Sequence, residues 1–167
     1  MTRCIVLDTS AIVARMVGFT SRNFTTSLIV EEARKYSFEL YESIYSDRII
    51  VIDPSRESIE SAREAADSTG DLQTLSEADI SLIALAHSLS NGECNSVTIF
   101  SDDYSILNVA ASIGLGYSTV ALRKPRFEEY KWRWYCPRCH RFYTGGQKSC
   151  LTCDVVLKRK PWNRHRT

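Results

Sequence analysis

Short apolar runs alternate with segments of helical periodicity over the first 122 residues of this 167-residue chain. Four runs are predicted to be strands because they are continuously apolar and end at polar residues; they are RCIVLD, RIIVID, SVTIFSD and YSTVAL. The spacing of apolar residues predicts helices over 10–17, 27–40, 55–68, 76–90 and 104–113. Continuous apolar strands separated by helices are typical of a parallel sheet covered on both faces, so we predict an α/β fold.

Carboxylates follow three of these strands directly, and Asp53 is the one that ends the second strand. Asp8 ends the first strand, and the adjacent Asp102 and Asp103 end the third. Ligands of open α/β sheets bind beyond the carboxyl ends of the strands, at the point where the strand order reverses. One of the paired aspartates is enough to cap the next helix, which leaves the other for a second role.

Helical phase selects two further carboxylates. Glu32 borders the predicted buried face of its helix, whereas Glu31 faces water. Asp79 lies within an apolar stripe, and Glu77 falls on the opposite side. An unpaired carboxylate in an apolar stripe is costly, so Asp79 either forms a capping box with Ser76 or meets a cation.

The net charge of +1 hides a strong division near Leu122. Residues 1–122 hold 8 Lys+Arg and 17 Asp+Glu, while residues 123–167 hold 13 and 3 together with eight aromatic residues. Basic and aromatic side chains in alternation are typical of a surface that neutralises phosphates and stacks on bases, although a small aromatic core under a solvated tail is the simpler alternative. The candidate RNA-binding residues are Lys131, Arg133, Arg138, Arg141, Phe142, Tyr143, Lys158, Arg159 and Lys160.

Four cysteines in the basic half have the spacing of a metal site. Two Cys-x-x-Cys pairs are separated by ten residues, which predicts a structural zinc site in a zinc ribbon; the cysteines are Cys136, Cys139, Cys150 and Cys153. His140 and Asp154 follow the two pairs, where a left-handed turn is expected, and both residue types tolerate positive φ. Disulfides are disfavoured, because Cys4 and Cys94 lie in or beside predicted core elements of an intracellular chain.

The order of these motifs resembles that of the PIN-domain ribonucleases. The resemblance rests on Asp8 in VLDTSAIV, Glu32 in VEEAR, Asp79 in LSEADISLIALA and Asp103 in SDDYSILNVA. With YKWRWYCPRCHRFY, the second cysteine pair and LKRKPWNRHR, the chain is similar to the archaeal Nob endonucleases. We accordingly expect a PIN-like domain over 1–122, a linker over 123–134, a zinc ribbon over 135–160 and a basic tail over 161–167.

This resemblance implies an endoribonuclease that depends on Mg²⁺ or Mn²⁺ and matures the 3′ end of small-subunit (16S) rRNA. Asp8, Glu32, Asp79 and Asp103 would be the catalytic metal ligands, with Asp102 beside them, and the products would carry 5′ phosphate and 3′ hydroxyl. The implied partners are precursor rRNA and the small ribosomal subunit. Two alternatives stay open: a toxin-type PIN ribonuclease, and a non-catalytic zinc-ribbon RNA-binding assembly factor.

Other chemistries find little support in the sequence. The chain has three histidines, no P-loop glycine pattern and no candidate Ser/His/Asp constellation, which disfavours a histidine-based acid–base ribonuclease. Clustered carboxylates instead suit hard cations such as Mg²⁺ or Mn²⁺. No run of 18 apolar residues occurs, so we expect a soluble, cytoplasmic protein without membrane contact.

Overall fold

The computed structural model of the chain describes residues 2–18, 20–46, 49–92, 94–120, 130–144 and 147–162. Most of the predicted linker, the Gly145–Gly146 turn of the ribbon and residues 163–167 of the predicted tail lie outside these described residues. None of the described helices has the length and apolarity needed to cross a bilayer.

A five-stranded parallel sheet organises the first part of the chain, which confirms the predicted α/β class. Its strands are β1 (Arg3–Leu7), β2 (Arg22–Thr25), β3 (Ile49–Val51), β4 (Ser96–Phe100) and β5 (Gly116–Ser118). They lie in the order β3-β2-β1-β4-β5, and every neighbouring pair is parallel. The order reverses between β1 and β4, so a crevice for ligands is expected beyond the ends of these two strands.

Six helices connect and cover the strands in the described part of the chain. They are α1 (Thr9–Val13), α2 (Ser27–Tyr36), α3 (Phe38–Ser46), α4 (Arg56–Thr69), α5 (Glu77–Ser90) and α6 (Tyr104–Ser112). The central helix α5 is apolar nearly all round, with Leu82, Ile83 and Leu85 fully buried. A helix of this kind belongs in the interior, and α5 packs against β1, β4 and α4. Burial of these faces fixes where each strand end lies.

Two local predictions for this domain were wrong. Strand β2 was not predicted because it is short and because two of its buried residues, Asn23 and Thr25, are polar. The single helix predicted over 27–40 is two helices that meet at Ser37, whose backbone is extended and whose hydroxyl accepts a hydrogen bond from the Leu40 N–H at 3.0 Å. The helical phase of a single helix over 27–40 predicts a buried Tyr36, but the break at Ser37 leaves this residue 73% exposed.

The basic part of the chain forms a separate antiparallel sheet around the cysteines. Its strands are β6 (Trp132–Tyr135), β7 (Phe142–Tyr143) and β8 (Lys158–Pro161), in the order β7-β6-β8. The apolar run Val155-Val156-Leu157 predicts a short third strand, but β8 lies later in the chain and Val156 makes only an isolated bridge with Ser149. The first three residues of β6 belong to the segment predicted as linker, and β8 ends at the first residue of the predicted tail.

Cys4 and Cys94 form a disulfide, contrary to the sequence-based interpretation of both as core thiols. Cys4 is in β1, and Cys94 lies in the connection that leads from α5 into β4. Because β1 pairs with β4, the fold brings together two cysteines that are 90 residues apart in sequence. The bond is buried, with Cys4 fully inaccessible and Cys94 nearly so.

Candidate active site and metal centre

Asp8 is held at the end of β1 by a set of hydroxyl and amide donors. Its Oδ1 accepts a hydrogen bond from the Thr9 N–H at 2.7 Å, so Asp8 is itself the N-cap of α1. Its Oδ2 accepts from the Ser10 hydroxyl at 3.1 Å and from the Ser101 hydroxyl at 2.7 Å. Serine is a preferred N-cap, so the sequence predicts this role for Ser10, whereas the structure assigns it to Asp8. The buried carboxylate is therefore fixed in one orientation.

Ser101 connects the ends of β1 and β4 and was not singled out by the sequence as a site residue. It is fully buried, donates to Asp8 and accepts from the Asp103 N–H at 3.0 Å. Asp103 in turn caps α6 by accepting from the Ser105 N–H at 2.7 Å. A serine between a buried strand and two aspartates is a weak sequence signal, because serine is common at helix starts for capping alone.

Asp102 faces a different direction from Asp103. Its N–H donates to the Ser10 hydroxyl at 3.3 Å, and its Oδ1 accepts from the Val120 N–H at 2.9 Å. The carboxylate thus links the end of β4 to the segment after β5. Of the two adjacent aspartates, Asp103 is the one whose charge is felt by Asp79.

Asp79 forms the capping box that the sequence offered as one of its two roles, and it also lies within the field of two other carboxylates. Its Oδ2 accepts from the Ser76 N–H at 2.7 Å, and the Ser76 hydroxyl accepts from the Asp79 N–H, which completes the predicted capping box. Burial raises the pKa of Asp79, and the negative charges of Asp103 and Asp8 raise it further. Carboxylates from α5, from the end of β4 and from the end of β1 therefore act on one another electrostatically.

Glu32 joins this region through a hydroxyl. The Thr9 hydroxyl, next to Asp8, donates to Glu32 Oε2 at 3.1 Å. Glu32 is half-buried and Glu31 is exposed, as the helical phase predicted. The same holds on α5, where Asp79 is half-buried while the exposed Glu77 pairs with Arg63.

The acidic side chains at this end of the sheet are of the chemical type that binds hard divalent cations. Carboxylates of like charge repel one another less when a cation lies between them, and carboxylate oxygens are the ligands that Mg²⁺ and Mn²⁺ prefer. Hydrogen bonds from Ser101, Ser10 and Thr9 hold the carboxylates that they reach in a fixed orientation. This end of the sheet is therefore suited to metal-assisted hydrolysis of a phosphodiester.

The four ribbon cysteines form a group that can hold a metal ion. Their sulfur atoms all lie within 4.8 Å of one another. Cys139 Sγ and Cys150 Sγ are 3.7 Å apart, close to the edge of about 3.8 Å that a tetrahedron with metal–sulfur bonds of about 2.3 Å requires. The Tyr143 hydroxyl lies 3.0 Å from Cys150 Sγ and lowers the pKa of this thiol to about 6.

Backbone geometry at both cysteine pairs matches that of metal-binding knuckles. The N–H groups of Arg138 and Cys153 point to the first sulfur of their pairs, at 3.4 and 3.3 Å. His140 and Asp154 have φ of 57° and 52°, the left-handed conformation predicted for them. Neither residue needs to be a ligand, since four thiols already supply the tetrahedral set.

The predicted RNA-binding residues lie mainly on the ribbon sheet, where cations stack on aromatic rings. The Arg133 guanidinium lies 3.2 Å from the centroid of the Trp162 ring and 5.2 Å from that of Phe142. Lys160 lies over the rings of Phe142 and Tyr135 at 4.8 and 5.1 Å. Lys131, Arg138, Arg141 and Lys158 are exposed, so they can meet a polyanion, and Tyr143 instead packs toward the cysteines.

Arg159 is engaged in a contact between the ribbon and the first domain. Its Nη1 donates to Oδ1 of the fully buried Asp71 at 3.1 Å, and its guanidinium stacks on Trp132 at 4.6 Å. The other oxygen of Asp71 accepts from Asn108 Nδ2 at 2.6 Å, and Asn108 also bonds to both backbone groups of Tyr130. Arg159 therefore directs its charge into the protein, toward a buried partner.

Gly70 allows the ribbon to approach this closely. Its φ is +79°, and a Cβ added there would lie 2.5 Å from the Trp132 carbonyl oxygen. The Trp134 indole N–H donates to the Gly70 carbonyl at 3.2 Å. A residue with a side chain at this position would strain the backbone and displace β6, so Gly70 is a specific requirement of the docked arrangement.

Comparison with known proteins adds family relationships to this geometry. The family described as PIN domain of ribonuclease matches residues 5–89. An endoribonuclease Nob1 of Pyrococcus abyssi is 34% identical over 163 residues, covering 94% of this chain and 93% of the relative. A Nob1 of Archaeoglobus fulgidus is 36% identical over 165 residues, with coverages of 96% and 94%. A ribonuclease VapC3 of Aeropyrum pernix is 39% identical over 122 residues, covering 71% of this chain and 87% of the relative.

Proposed function

This chain belongs to the PIN-domain endoribonucleases of the Nob1 family, and we propose that it cleaves precursor small-subunit (16S) rRNA at its 3′ end during ribosome maturation. The observation that carries the proposal is that Asp8 and Asp103 stand at the ends of the two strands between which the order reverses and are linked through the Ser101 hydroxyl. The negative charges of both add to burial in raising the pKa of Asp79 on α5. The proposed partners are precursor rRNA and the small ribosomal subunit.

We assign Asp8, Glu32, Asp79 and Asp103 as the residues that hold catalytic Mg²⁺ or Mn²⁺. A cation in this position supplies activation of the attacking water and stabilises charge on the phosphate. The protein's own part is orientation: Ser101 and Ser10 fix Asp8, and Thr9 fixes Glu32. These supporting groups are already in place, so they keep the site rigid during the reaction.

Asp102 has a supporting role in this scheme. Its carboxylate accepts from the Val120 N–H and its own N–H donates to Ser10, so it fixes the segment after β5 and the hydroxyl that orients Asp8. Asp103, which raises the pKa of Asp79, is the first choice for the metal ligand. The sequence left the choice between these two aspartates open.

We assign structural Zn²⁺ to Cys136, Cys139, Cys150 and Cys153. Soft thiolates in a tetrahedral set select zinc over the hard catalytic cations. The ribbon from Trp132 to Pro161 has a small core that consists chiefly of Leu157 and two of the cysteines, so metal binding supplies much of its folding free energy.

The proposed hydrolysis predicts defined product ends and a defined loss on mutation. Attack by an external water leaves 5′ phosphate and 3′ hydroxyl, because the substrate's 2′-OH is not the nucleophile. We expect Asp8→Asn to abolish cleavage with little change in fold or RNA affinity, since asparagine keeps the shape and the cap but loses the charge.

The test is incubation of zinc-loaded, full-length protein with a precursor rRNA that spans the 3′ end, with and without Mn²⁺. Glu77→Gln is the matched control because Glu77 is exposed and paired with Arg63. Cleavage by Asp8→Asn at the wild-type rate, or a 2′,3′-cyclic phosphate on the product, would refute the metal-dependent assignment. Cleavage of unrelated RNA at equal rates would instead favour a toxin-type ribonuclease, and RNA binding without any cleavage a non-catalytic assembly factor.

A further inference from the structure

All three tryptophans of the chain line one cavity at the junction between the ribbon and the first domain. The cavity has a volume of about 330 Å³ and is lined by Trp132, Trp134 and Trp162. Its opposite wall comes from the end of α4 and the loop that follows, including Asp67 and Gln73. Two parts of the chain that are far apart in sequence therefore make a single concave site.

The walls of this tryptophan cavity combine aromatic surface with positive charge. Lys131 and Arg133 line it together with the three indoles. Trp162 is 45% exposed, although Arg133 covers part of its ring. The Arg133 guanidinium is held in place by its stack on Trp162 at 3.2 Å. Aromatic faces bind nucleobases and fixed cations neutralise phosphates, so this lining is complementary to a nucleotide.

The contacts that dock the ribbon also hold the two walls in fixed relation. The Trp134 indole N–H donates to the Gly70 carbonyl, and Gly70 packs against the Trp132 backbone. Directly after Gly70, the buried Asp71 pairs with Arg159. Contacts within the protein thus hold these parts of the cavity wall in place, and a preformed site lowers the entropic cost of binding.

The loop that forms the second wall also leads to the candidate active site. It continues to Thr74, whose hydroxyl is 3.0 Å from the Ser105 hydroxyl. Ser105 donates its N–H to Asp103 at 2.7 Å. The loop that lines the cavity is therefore linked by hydrogen bonds to the α6 end of the acidic site.

We propose that the tryptophan cavity binds one nucleobase of the single-stranded RNA substrate, with Lys131 and Arg133 neutralising the adjoining phosphates. The volume is at the lower end of the range of about 300 to 1,000 Å³ for ligand pockets, which suits one nucleotide rather than a longer segment. The proposal rests on the proposed function, because it names a subsite for the same RNA.

Intrinsic tryptophan fluorescence tests this proposal, because every tryptophan of the chain lines the cavity. The zinc-loaded, full-length protein is titrated with an RNA pentamer, without Mg²⁺ or Mn²⁺, and then with a pentamer of the same charge whose residues are abasic. We expect saturable quenching by the normal strand, and an affinity for the abasic strand that is lower by about 5-fold to 150-fold, the value of one stacked base.

Trp162→Ala is the test variant, and Tyr36→Ala, which removes an exposed aromatic far from the ribbon in sequence, is its control. Trp162→Ala should bind both strands alike, whereas Tyr36→Ala should keep the wild-type preference. Equal affinity of the wild-type protein for the two strands would overturn the subsite, even if rRNA cleavage persists. Absence of both rRNA cleavage and RNA binding in the wild-type protein would count against the proposed function itself.

Discussion

Replacement of Arg159 by leucine leaves the Asp71 carboxylate buried without its ionic partner. Asp71 is fully inaccessible, and the side chain of Arg159 is one-third exposed. Removal of one member of a buried ion pair typically costs about 3 to 5 kcal/mol. Because Asn108 still donates to Asp71 and Arg159 is partly solvated, we expect the lower end, about 3 kcal/mol of unfolding free energy.

A double-mutant cycle in urea separates the ion pair from its surroundings. We expect Arg159→Leu and Asp71→Leu each to lower the free energy of unfolding, and the double variant to recover most of the loss because no buried charge remains unpaired. Lys158→Leu is the control, since Lys158 is an exposed cation in the same strand. A loss below about 0.5 kcal/mol for Arg159→Leu would refute the reasoning, because it would match a surface salt bridge.

The pH dependence of the variant gives an independent check. Burial raises the pKa of Asp71, while hydrogen bonding by Asn108 and the charge of Arg159 lower it. A carboxyl whose pKa is raised by folding binds its proton more tightly in the native state, so stability falls as the pH rises through the unfolded and then the native pKa. Without Arg159 the native pKa of Asp71 rises further. The loss of unfolding free energy caused by Arg159→Leu should therefore be smaller at pH 5 than at pH 7. An equal deficit at both pH values would show that Asp71 is not the origin of the loss.

Three other changes test the remaining assignments. Glu32→Gln should reduce Mn²⁺-dependent cleavage far more than Glu31→Gln, because Glu32 is half-buried and bonded to Thr9 beside Asp8; equal rates for the two variants would exclude Glu32 as a ligand. Cys94→Ser should lower the urea midpoint of the zinc-loaded protein, since a disulfide that closes a 90-residue loop stabilises by up to about 4 to 5 kcal/mol; an unchanged midpoint would show that the bond does not form. Neutralising Arg138 and Arg141 should make the slope of log affinity for single-stranded RNA against log salt less steep, by about 0.7 for each phosphate that these side chains neutralise. An unchanged slope would show that neither residue belongs to the RNA-binding surface.

Strand ends, helical phase and cysteine spacing were readable in the sequence because each is a local pattern. Asp8 and Asp103 are marked by the apolar runs that precede them, and the half-burial of Glu32 and Asp79 follows from helical periodicity. The predicted parallel sheet and the predicted relation to PIN ribonucleases are also confirmed. Local pattern is sufficient for the strand ends and the helical phases because each depends on residues within one element.

Features that depend on tertiary contact could not be predicted in this way. Ser101 and Asp71 lie in short connections where serine and aspartate are ordinary residues, and only the packed structure shows them buried. Cys4 and Cys94 become partners only when β1 and β4 pair. Strand β2 was missed because the hydroxyl of Thr25 bonds to the Leu7 carbonyl, so a polar residue satisfies its group inside the core.

Because the ribbon packs against the first domain, truncation is not a clean test of RNA binding by the basic half. Truncation after the first domain would remove 13 basic residues, but it would also uncover the surface at Gly70 and leave Asp71 without Arg159. Weaker RNA binding by the truncated protein would then combine the removal of phosphate-binding side chains with a disturbed domain. The acidic and basic halves meet through the buried ion pair of Asp71 and Arg159, whereas exposed cations such as Arg138 and Arg141 remain available on the ribbon. The ribbon is therefore suited to two tasks with separate residues, and only point variants that spare the docked surface can distinguish RNA binding from structural support.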